Sequence, residues 1–159
     1  MPWHGDISEG EVYGIDHSTE SVATATPTNK QSTDIARVEI PQASFSRLPL
    51  SVGDFDVITA VETHFWLPAL PKDLRKVLRV LKPRGRLIII AEVYKGAATL
   101  TSEAAEKFSK KTAMALLSVE EHRELLTDAG HSDGQLTTEP SKGWICCIGS
   151  KQFRKAGSA

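Results

Sequence analysis

The segment from residue 55 to residue 93 constrains the fold most strongly. It begins with FDVITAV (55–61), a run rich in Val and Ile typical of a buried strand, and ends with the continuously apolar run RLIIIAEV (86–93). Between them, aliphatic residues recur every three or four positions, as on one face of an amphipathic helix: Leu70, Leu74, Val77, Leu78 and Leu81. A strand, a crossover helix and a second strand form a βαβ unit, which predicts a parallel sheet whose second strand is covered on both faces.

Two further strands are predicted before this unit. VYGID (12–16) is apolar and bounded by turn residues, and Ser18 can cap a helix that follows it. Pro27 should stop or kink that helix because it lacks a backbone donor. RVEIPQA (37–43) reads as a short strand that its proline pushes toward an edge.

The second half predicts two helices and a hairpin. Residues 101–117 favour a helix by propensity, and residues 118–130 carry a capping box formed by Ser118 and Glu121. GQLTTE (134–139) and GWICCIGSK (143–151) are joined by a connection too short for a crossover, so we expect an antiparallel pair.

Composition limits the classes of function. The chain has 159 residues, 25% of them charged, and a net charge of -1, which favours one soluble domain and no nucleic-acid partner. No run approaches a membrane span, so we expect no membrane partner. Cys146 and Cys147 are adjacent, which is neither a disulfide framework nor metal-ligand spacing, and a cytoplasmic location is expected. At least one of them should be buried and inert, since neighbours alternate across a strand.

In order along the chain, these segments resemble the class I S-adenosylmethionine-dependent methyltransferases of the type 11 subgroup. VYGIDHSTESVATA resembles the family's second strand and following helix, LPLSVGDFDVITAVETHFW its fourth-strand segment, and LRKVLRVLKPRGRLIIIAE its next helix and fifth strand. The final helix and hairpin also agree. The resemblance implies an α/β, Rossmann-like, mostly parallel sheet with a C-terminal antiparallel hairpin. It divides the chain into a loose lead-in (1–11), a partial methyltransferase domain (12–151) and a tail (152–159).

The same resemblance implies the cofactor and the residues around it. S-adenosylmethionine is the expected cofactor, with Asp16 in the place of the acid that binds the ribose hydroxyls and His17 beside it. Ser44 and Phe45 stand at or near the adenine position, and Glu62 would face the sulfonium.

The first strand of the family and its glycine-rich loop have no counterpart in residues 1–11. Glycine lets backbone N–H groups approach a ligand closely, so its absence weakens the expected grip on the cofactor. The missing strand would lie between the family's second and fourth strands. We therefore expect rearranged pairing or a homodimer through an exposed sheet edge.

Other readings of the candidate residues stay open. Asp16 could simply initiate a helix, and His64, the candidate base together with Glu62, could be a solvated loop histidine. Of Phe65 and Trp66, one is expected to pack in the core while the other stays undecided. Glu92 and Tyr94 could face the same cleft. We expect structural roles rather than metal binding for Glu120, Glu121 and His122, because adjacent residues on a helix point in different directions.

The resulting hypothesis is methyl transfer to a small-molecule acceptor, if a complete site forms. The alternative is a non-catalytic remnant that acts as a binding or self-associating module. A nicotinamide-dependent dehydrogenase is disfavoured because it also needs the glycine loop and fits the terminal hairpin poorly.

Overall fold

The computed structural model describes residues 10–34, 37–44, 51–67 and 69–152. The chain divides into two compact units, Met1–Pro49 and Leu50–Ala159. Most of the predicted lead-in and tail, and Phe45, lie outside the described residues. Among the described residues, no helix is long and apolar enough to cross a membrane.

The first unit contains two short strands and two helices: β1 (Val12–Tyr13), α1 (Thr19–Thr28), α2 (Lys30–Asp34) and β2 (Val38–Glu39). The two strands pair in parallel. Ser18 caps α1 as predicted, because its Oγ accepts a hydrogen bond from the Ser21 N–H at 3.2 Å. Pro27 lies in the last turn and α1 ends one residue later, which confirms the expected stop.

The second unit contains the predicted βαβ unit, two further helices and a hairpin. Its elements are β3 (Phe55–Val61), α3 (Leu70–Val80), β4 (Leu81–Ala91), α4 (Leu100–Ser109), α5 (Val119–Asp128), β5 (Ser132–Glu139) and β6 (Trp144–Ser150). A 3-10 turn, His64–Trp66, follows β3 and precedes α3 in the chain.

The four strands of this unit form one mixed sheet in the order β3-β4-β6-β5. β3 and β4 pair in parallel, as the βαβ pattern predicts. β6 inserts between β4 and β5 and is antiparallel to both, which confirms the terminal hairpin. β3 is left as an edge strand of the sheet.

One face of the sheet carries the core, and the other is partly open. The core face and the helices α3 and α5 contribute fully buried side chains: Leu74, Val77, Leu87, Ile89, Leu126, Ile145 and Cys147. On the opposite face, Val57 is 52% exposed, Val61 48% and Ile90 39%. The prediction that residues 86–93 form a strand covered on both faces is therefore wrong. The reading of residues 55–61 as a buried strand fails too, since Ala60 is its one buried member.

Gly85 allows the chain to enter β4 close to β3. A Cβ at this position would lie 2.8 Å from the carbonyl oxygen of Lys82 and 3.0 Å from that of Phe55. Both atoms belong to backbone, which cannot move aside cheaply. The glycine of the KPRG segment is thus explained by backbone packing at the irregular start of the β3–β4 pairing.

The predicted helix over 101–117 is too long, because α4 ends at Ser109. Tertiary hydrogen bonds replace the helical pattern beyond it. The Ala115 N–H donates to the carbonyl of Phe65 at 2.9 Å, and the carbonyl of Leu117 accepts from the Lys95 N–H at 2.9 Å. These bonds tie the segment before α5 to the turn after β3 and to the loop after β4.

Candidate functional site

Glu62 follows β3 at the carboxyl end of the strand and has a left-handed backbone, with φ of 55°. Its N–H donates to the carbonyl of Ile90 at 3.0 Å, and its carboxylate accepts a hydrogen bond from the N–H of Glu92. The left-handed conformation costs a residue with a side chain about 1–2 kcal/mol, and it persists only where neighbouring contacts impose it. Glu62 is exposed and is fixed at the edge where open α/β sheets bind ligands.

His64 lies two residues further on and is fully buried, so the alternative of a solvated loop histidine is wrong. Its Nε2 lies 3.1 Å from the Nε2 of His122, which is also buried, on α5. The Nδ1 of His122 lies 2.7 Å from the carbonyl oxygen of Ser118. The structure thus joins the turn after β3 to the start of α5 through two imidazole rings.

Burial is the main influence on the charge of both rings. Together with the neighbouring His122, it lowers the pKa of His64 from 6.5 to about 3. Burial also lowers the pKa of His122, and the hydrogen bond to the Ser118 carbonyl and the charge of Glu121 oppose that shift. Both imidazoles are therefore neutral at pH 7 and can each donate one hydrogen bond and accept one.

The two aromatic residues after His64 have different environments. Phe65 is buried, which confirms that one of the pair packs in the core. Trp66 is 52% exposed, and its ring meets that of Phe108, itself 50% exposed, edge-on at 6.3 Å. Trp66 and Phe108 therefore form an apolar surface next to the buried histidines.

The structure distinguishes the two candidates at the end of β4. Glu92 is exposed, with its N–H bound to Glu62, whereas Tyr94 is buried. Of the two, Glu92 alone is exposed to solvent at this edge.

In the first unit, Asp16 lies in an isolated parallel bridge with Gln42. Its Oδ1 accepts a hydrogen bond from the Ser18 N–H at 2.8 Å, so it also has the helix-initiating role. The side chain of Asp16 is 43% exposed, and that of His17 is 83% exposed with its Nδ1 3.6 Å from Asp16 Oδ1. One oxygen of the carboxylate is therefore engaged and the side chain remains open to a ligand.

The adenine candidates are only partly described. The Ala43 N–H donates to the carbonyl of Asp16 at 2.9 Å, which brings the neighbouring Ser44 to the same end of the small sheet. Ser44 is exposed. The structure thus brings Asp16, His17 and Ser44 together in the first unit, and Glu62 and His64 together in the second.

The acidic stretch on α5 has a structural role. Glu121 completes the predicted capping box: its carboxylate accepts from the Ser118 N–H at 2.6 Å, and its own N–H donates to Ser118 Oγ at 3.2 Å. It also pairs with Lys95 at 3.1 Å. Glu120 pairs with Arg123 at 3.3 Å.

The cysteines lie on opposite faces of β6. Cys147 is fully buried, and burial raises the pKa of its thiol to about 12. Cys146 is half-buried, and burial raises its pKa as well. The prediction of at least one buried, inert thiol is confirmed.

Two surface depressions lie away from the candidate residues. One, of about 480 Å³, follows a face of α1 that includes Glu20 and Thr24. The other, of about 400 Å³, lies beside Arg84 and Arg86, at the opposite end of β4 from Glu92. None of Asp16, His17, Ser44, Glu62 and His64 lines either depression.

Sequence reasoning missed His122 as the partner of His64. The available signal is its spacing, because His122 lies three and four residues before the buried Leu125 and Leu126, as residues on one face of α5 do. A histidine on that face must find a partner inside the protein. The identity of the partner depends on packing between segments 58 residues apart.

Comparisons with known proteins agree with this architecture. A demethylmenaquinone methyltransferase from Lactococcus lactis is 32% identical over 93 residues, covering 55% of this chain and 36% of the relative. The chain thus spans about a third of that relative's length. Solved structures of similar fold include a SAM-dependent methyltransferase from Aquifex aeolicus, with a TM-score of 0.71 and 23% identity over 89% of this chain and 69% of that one. A SAM-dependent methyltransferase from Methanosarcina mazei has a TM-score of 0.68 and 16% identity over 91% of this chain and 83% of that one.

A family described as a methyltransferase domain matches residues 5–139, which is most of the chain. The match spans β1 to the end of β5, including the edge that carries Glu62 and His64. The chain therefore belongs to the methyltransferase domain family.

Proposed function

We propose that the chain acts in S-adenosylmethionine-dependent methyl transfer to a small-molecule acceptor. The observation that carries this proposal is the fixed, left-handed Glu62 at the carboxyl end of β3, two residues from the buried, neutral His64. Backbone strain of this kind clusters at active sites and ligand clamps. In a chain of the methyltransferase family, these residues are the best candidates for the acceptor side of the site.

The cofactor of the family is S-adenosylmethionine, and the first unit fits one part of it. Asp16 Oδ1 is engaged by the Ser18 N–H, and the exposed carboxylate keeps an oxygen that can accept from ribose hydroxyls. A glycine-rich loop for the rest of the cofactor is not found in residues 10–34, 37–44, 51–67 or 69–152. The described residues of the first unit therefore fit the ribose part of the cofactor.

When bound, the cofactor would supply an electrophilic methyl group. The chain would contribute positioning, which can account for much of the rate of a bimolecular transfer. Glu62 engages the Glu92 N–H with Oε1, so its other oxygen can accept a hydrogen bond from a hydroxyl or amine of the acceptor. Neutral His64 would take the proton that such a group loses.

An apolar or planar acceptor suits the neighbouring surface. Trp66 and Phe108 are half-exposed aromatic rings beside the His64 turn, and rings of this kind bind flat, apolar groups well. The name of the Lactococcus lactis relative, a demethylmenaquinone methyltransferase, supports the same class of acceptor, because a quinone ring system is planar and apolar and its reduced, hydroquinone form carries hydroxyl groups.

Isothermal titration of the purified chain with S-adenosylmethionine and with S-adenosylhomocysteine tests the cofactor part. We expect saturable binding that Asp16→Asn weakens about tenfold or more, because the amide keeps the acceptor for Ser18 but loses the charge that favours ribose hydroxyls. Glu20→Gln is the matched control, since Glu20 is an exposed acid in the first turn of α1. Absence of binding, or equal weakening by both variants, would count against the proposal.

A second candidate function is self-association through the second unit. Among the described residues β3 is one of the two edge strands of the four-stranded sheet, and its half-exposed Val57 and Val61 lie on the open face beside Ile90. Unpaired strand edges with apolar neighbours are templates for another chain. This module would need no cofactor.

Sedimentation velocity over a hundredfold range of concentration tests that candidate. Self-association through this region predicts a dimer that Val57→Lys with Val61→Lys converts to monomer. The control is Thr24→Lys with Thr28→Lys on exposed positions of α1, which should leave the dimer intact. A wild-type chain that stays monomeric throughout would rule out this candidate at those concentrations.

A further inference from the structure

The positions of the protons on the two buried histidines follow from the geometry. A carbonyl oxygen can only accept a hydrogen bond, so at 2.7 Å from the Ser118 carbonyl the Nδ1 of His122 must carry a proton. A neutral imidazole has one N–H, and the Nε2 of His122 is therefore a bare acceptor. This is the less common tautomer of a histidine in water, and the Ser118 carbonyl imposes it.

The neighbouring ring is then fixed in turn. The Nε2 of His64 lies 3.1 Å from the bare Nε2 of His122, so it must be the donor of that hydrogen bond. The Nδ1 of His64 is consequently left as a bare acceptor. It is buried and has no hydrogen-bond partner among the described residues.

The Ser118 carbonyl, which accepts the hydrogen bond from His122 Nδ1, is itself held in place. The capping box with Glu121 fixes both the N–H and the Oγ of Ser118, so the Ser118 carbonyl has little freedom to turn away. The His122 N–H of the backbone also donates to that carbonyl, at 3.0 Å. A neutral imidazole held in this way adopts one tautomer rather than a mixture of two.

An unpaired buried acceptor costs about 1–3 kcal/mol, so its presence on His64 calls for a structural or functional explanation. The turn that carries His64 is held by two hydrogen bonds of 3.2 Å, from the Trp66 N–H to the Thr63 carbonyl and from the Leu67 N–H to the His64 carbonyl. Because Nδ1 of His64 is buried, a donor can reach it only if the packing around this short 3-10 turn opens.

We infer that His122 is a positioning residue for His64: it accepts a hydrogen bond from the Nε2–H of His64 and so leaves Nδ1 ready to receive a proton from the methyl acceptor. This inference rests on the proposed function. In the step concerned, the O–H or N–H bond of the acceptor breaks and its electron pair remains on the acceptor, which forms the new bond to the methyl carbon. The methyl–sulfur bond breaks with its electrons retained by sulfur, and the released proton bonds to the lone pair of His64 Nδ1.

Long-range proton–nitrogen correlation spectra of the ¹⁵N-labelled full chain at pH 7 show directly which ring nitrogens of His64 and His122 carry a proton. We expect the proton on Nε2 of His64 and on Nδ1 of His122, with the other nitrogen of each ring bare. Single His64→Gln and His122→Gln variants assign the signals. A proton on Nδ1 of His64, or on Nε2 of His122, would overturn the inference.

Two substitutions then separate positioning from packing. His122→Gln keeps an acceptor oxygen near the Nε2 position, and His122→Leu keeps the apolar volume without an acceptor. We expect His64 to remain a single Nε2–H tautomer in the glutamine variant and to lose that single state in the leucine variant. Retention of one tautomer in both would contradict the inference, and if the leucine variant does not fold, the wild-type spectrum decides. Titration of each with S-adenosylmethionine reports separately on the proposed function, because loss of cofactor binding leaves the tautomer result unchanged.

Discussion

The Nε2 atoms of His64 and His122 lie 3.1 Å apart, although 58 residues separate them in the sequence. The contact links the turn after β3, at one edge of the sheet, to α5, which packs on β6 and on β5 at the opposite edge. Because both rings are buried and uncharged at neutral pH, the link has consequences for stability that can be measured without knowing the acceptor.

Stability should fall as the pH falls from about 6.5 toward 3. The folded chain holds the pKa of His64 at about 3, below the 6.5 of an unfolded chain, so the unfolded state binds the proton first and acid favours unfolding. The contribution of His64 is complete above pH 6.5, and by pH 4 its loss should be on the order of 3 kcal/mol. Urea unfolding monitored by circular dichroism at pH 7, 5 and 4 measures this.

The double variant His64→Phe with His122→Leu provides the comparison. It should lose less stability between pH 7 and pH 4 than the wild type, because neither new side chain titrates. His17→Gln, which removes an exposed histidine, should behave like the wild type. An identical pH dependence in wild type and double variant would show that the pair does not account for the acid sensitivity.

Replacing Glu62 tests whether its backbone is strained. Glu62→Gly should be about 1 kcal/mol more stable than Glu62→Ala, because both lose the carboxylate and only glycine tolerates φ of 55° without cost. The matched pair at Thr63, whose φ is -106°, should show the opposite order, since ordinary backbone favours alanine over glycine. Thermal or urea unfolding of the four variants gives the signs. The same order at both positions would contradict a strained Glu62.

A methyl group at residue 149 should destabilise the sheet. A Cβ on Gly149 would lie 2.9 Å from the Cβ of His131 and 3.0 Å from its Cγ, so Gly149→Ala is expected to cost about 1–3 kcal/mol. Gly134→Ala is the control, because the nearest atom there, a methyl of Leu126, is 3.9 Å away. Equal urea midpoints for the two variants would mean that His131 moves aside freely.

The cap of α5 should make a measurable contribution. Ser118→Ala removes the Oγ that accepts the Glu121 N–H, which is expected to cost about 1 kcal/mol. Ser118→Thr keeps an oxygen at the cap and should lose much less. Differential scanning calorimetry of the three proteins distinguishes them, and a Ser118→Ala variant as stable as the wild type would show that the second half of the box suffices.

Local patterns predicted the elements that local forces determine. The strand at residues 55–61, the helix that begins at Leu70 and the capping box at Ser118 each depend on neighbours within a few positions, and the structure confirms all three. The hairpin followed from a connection too short to cross over. The order β3-β4-β6-β5 was not predicted, since pairing between distant strands leaves little trace in the periodicity of either.

The predictions that failed depend on what packs against a segment. Apolar residues in β4 suggested cover on both faces, yet the exposure of Ile90 is decided by the absence of a covering element on that side among the described residues. The helix over 101–117 failed because Ala115 bonds to the backbone of Phe65 instead of continuing α4. The alternative of a solvated His64 failed because the histidine that it contacts, His122, comes from α5, 58 residues away. The roles of Asp16, His17, Ser44 and Glu62 stay predictions, as does that of Phe45, which lies outside the described residues.

The position of β6 also affects how the polypeptide can fold during synthesis. Of the four strands of this sheet, β6 is the last to leave the ribosome, yet it pairs on both of its sides, with β4 and with β5. A nascent chain that has emerged only through residue 139 would therefore contain β4 and β5 without the strand that hydrogen-bonds to both of them. Closure of this sheet must wait until translation has passed Ser150, and until then those strands would be available to chaperones.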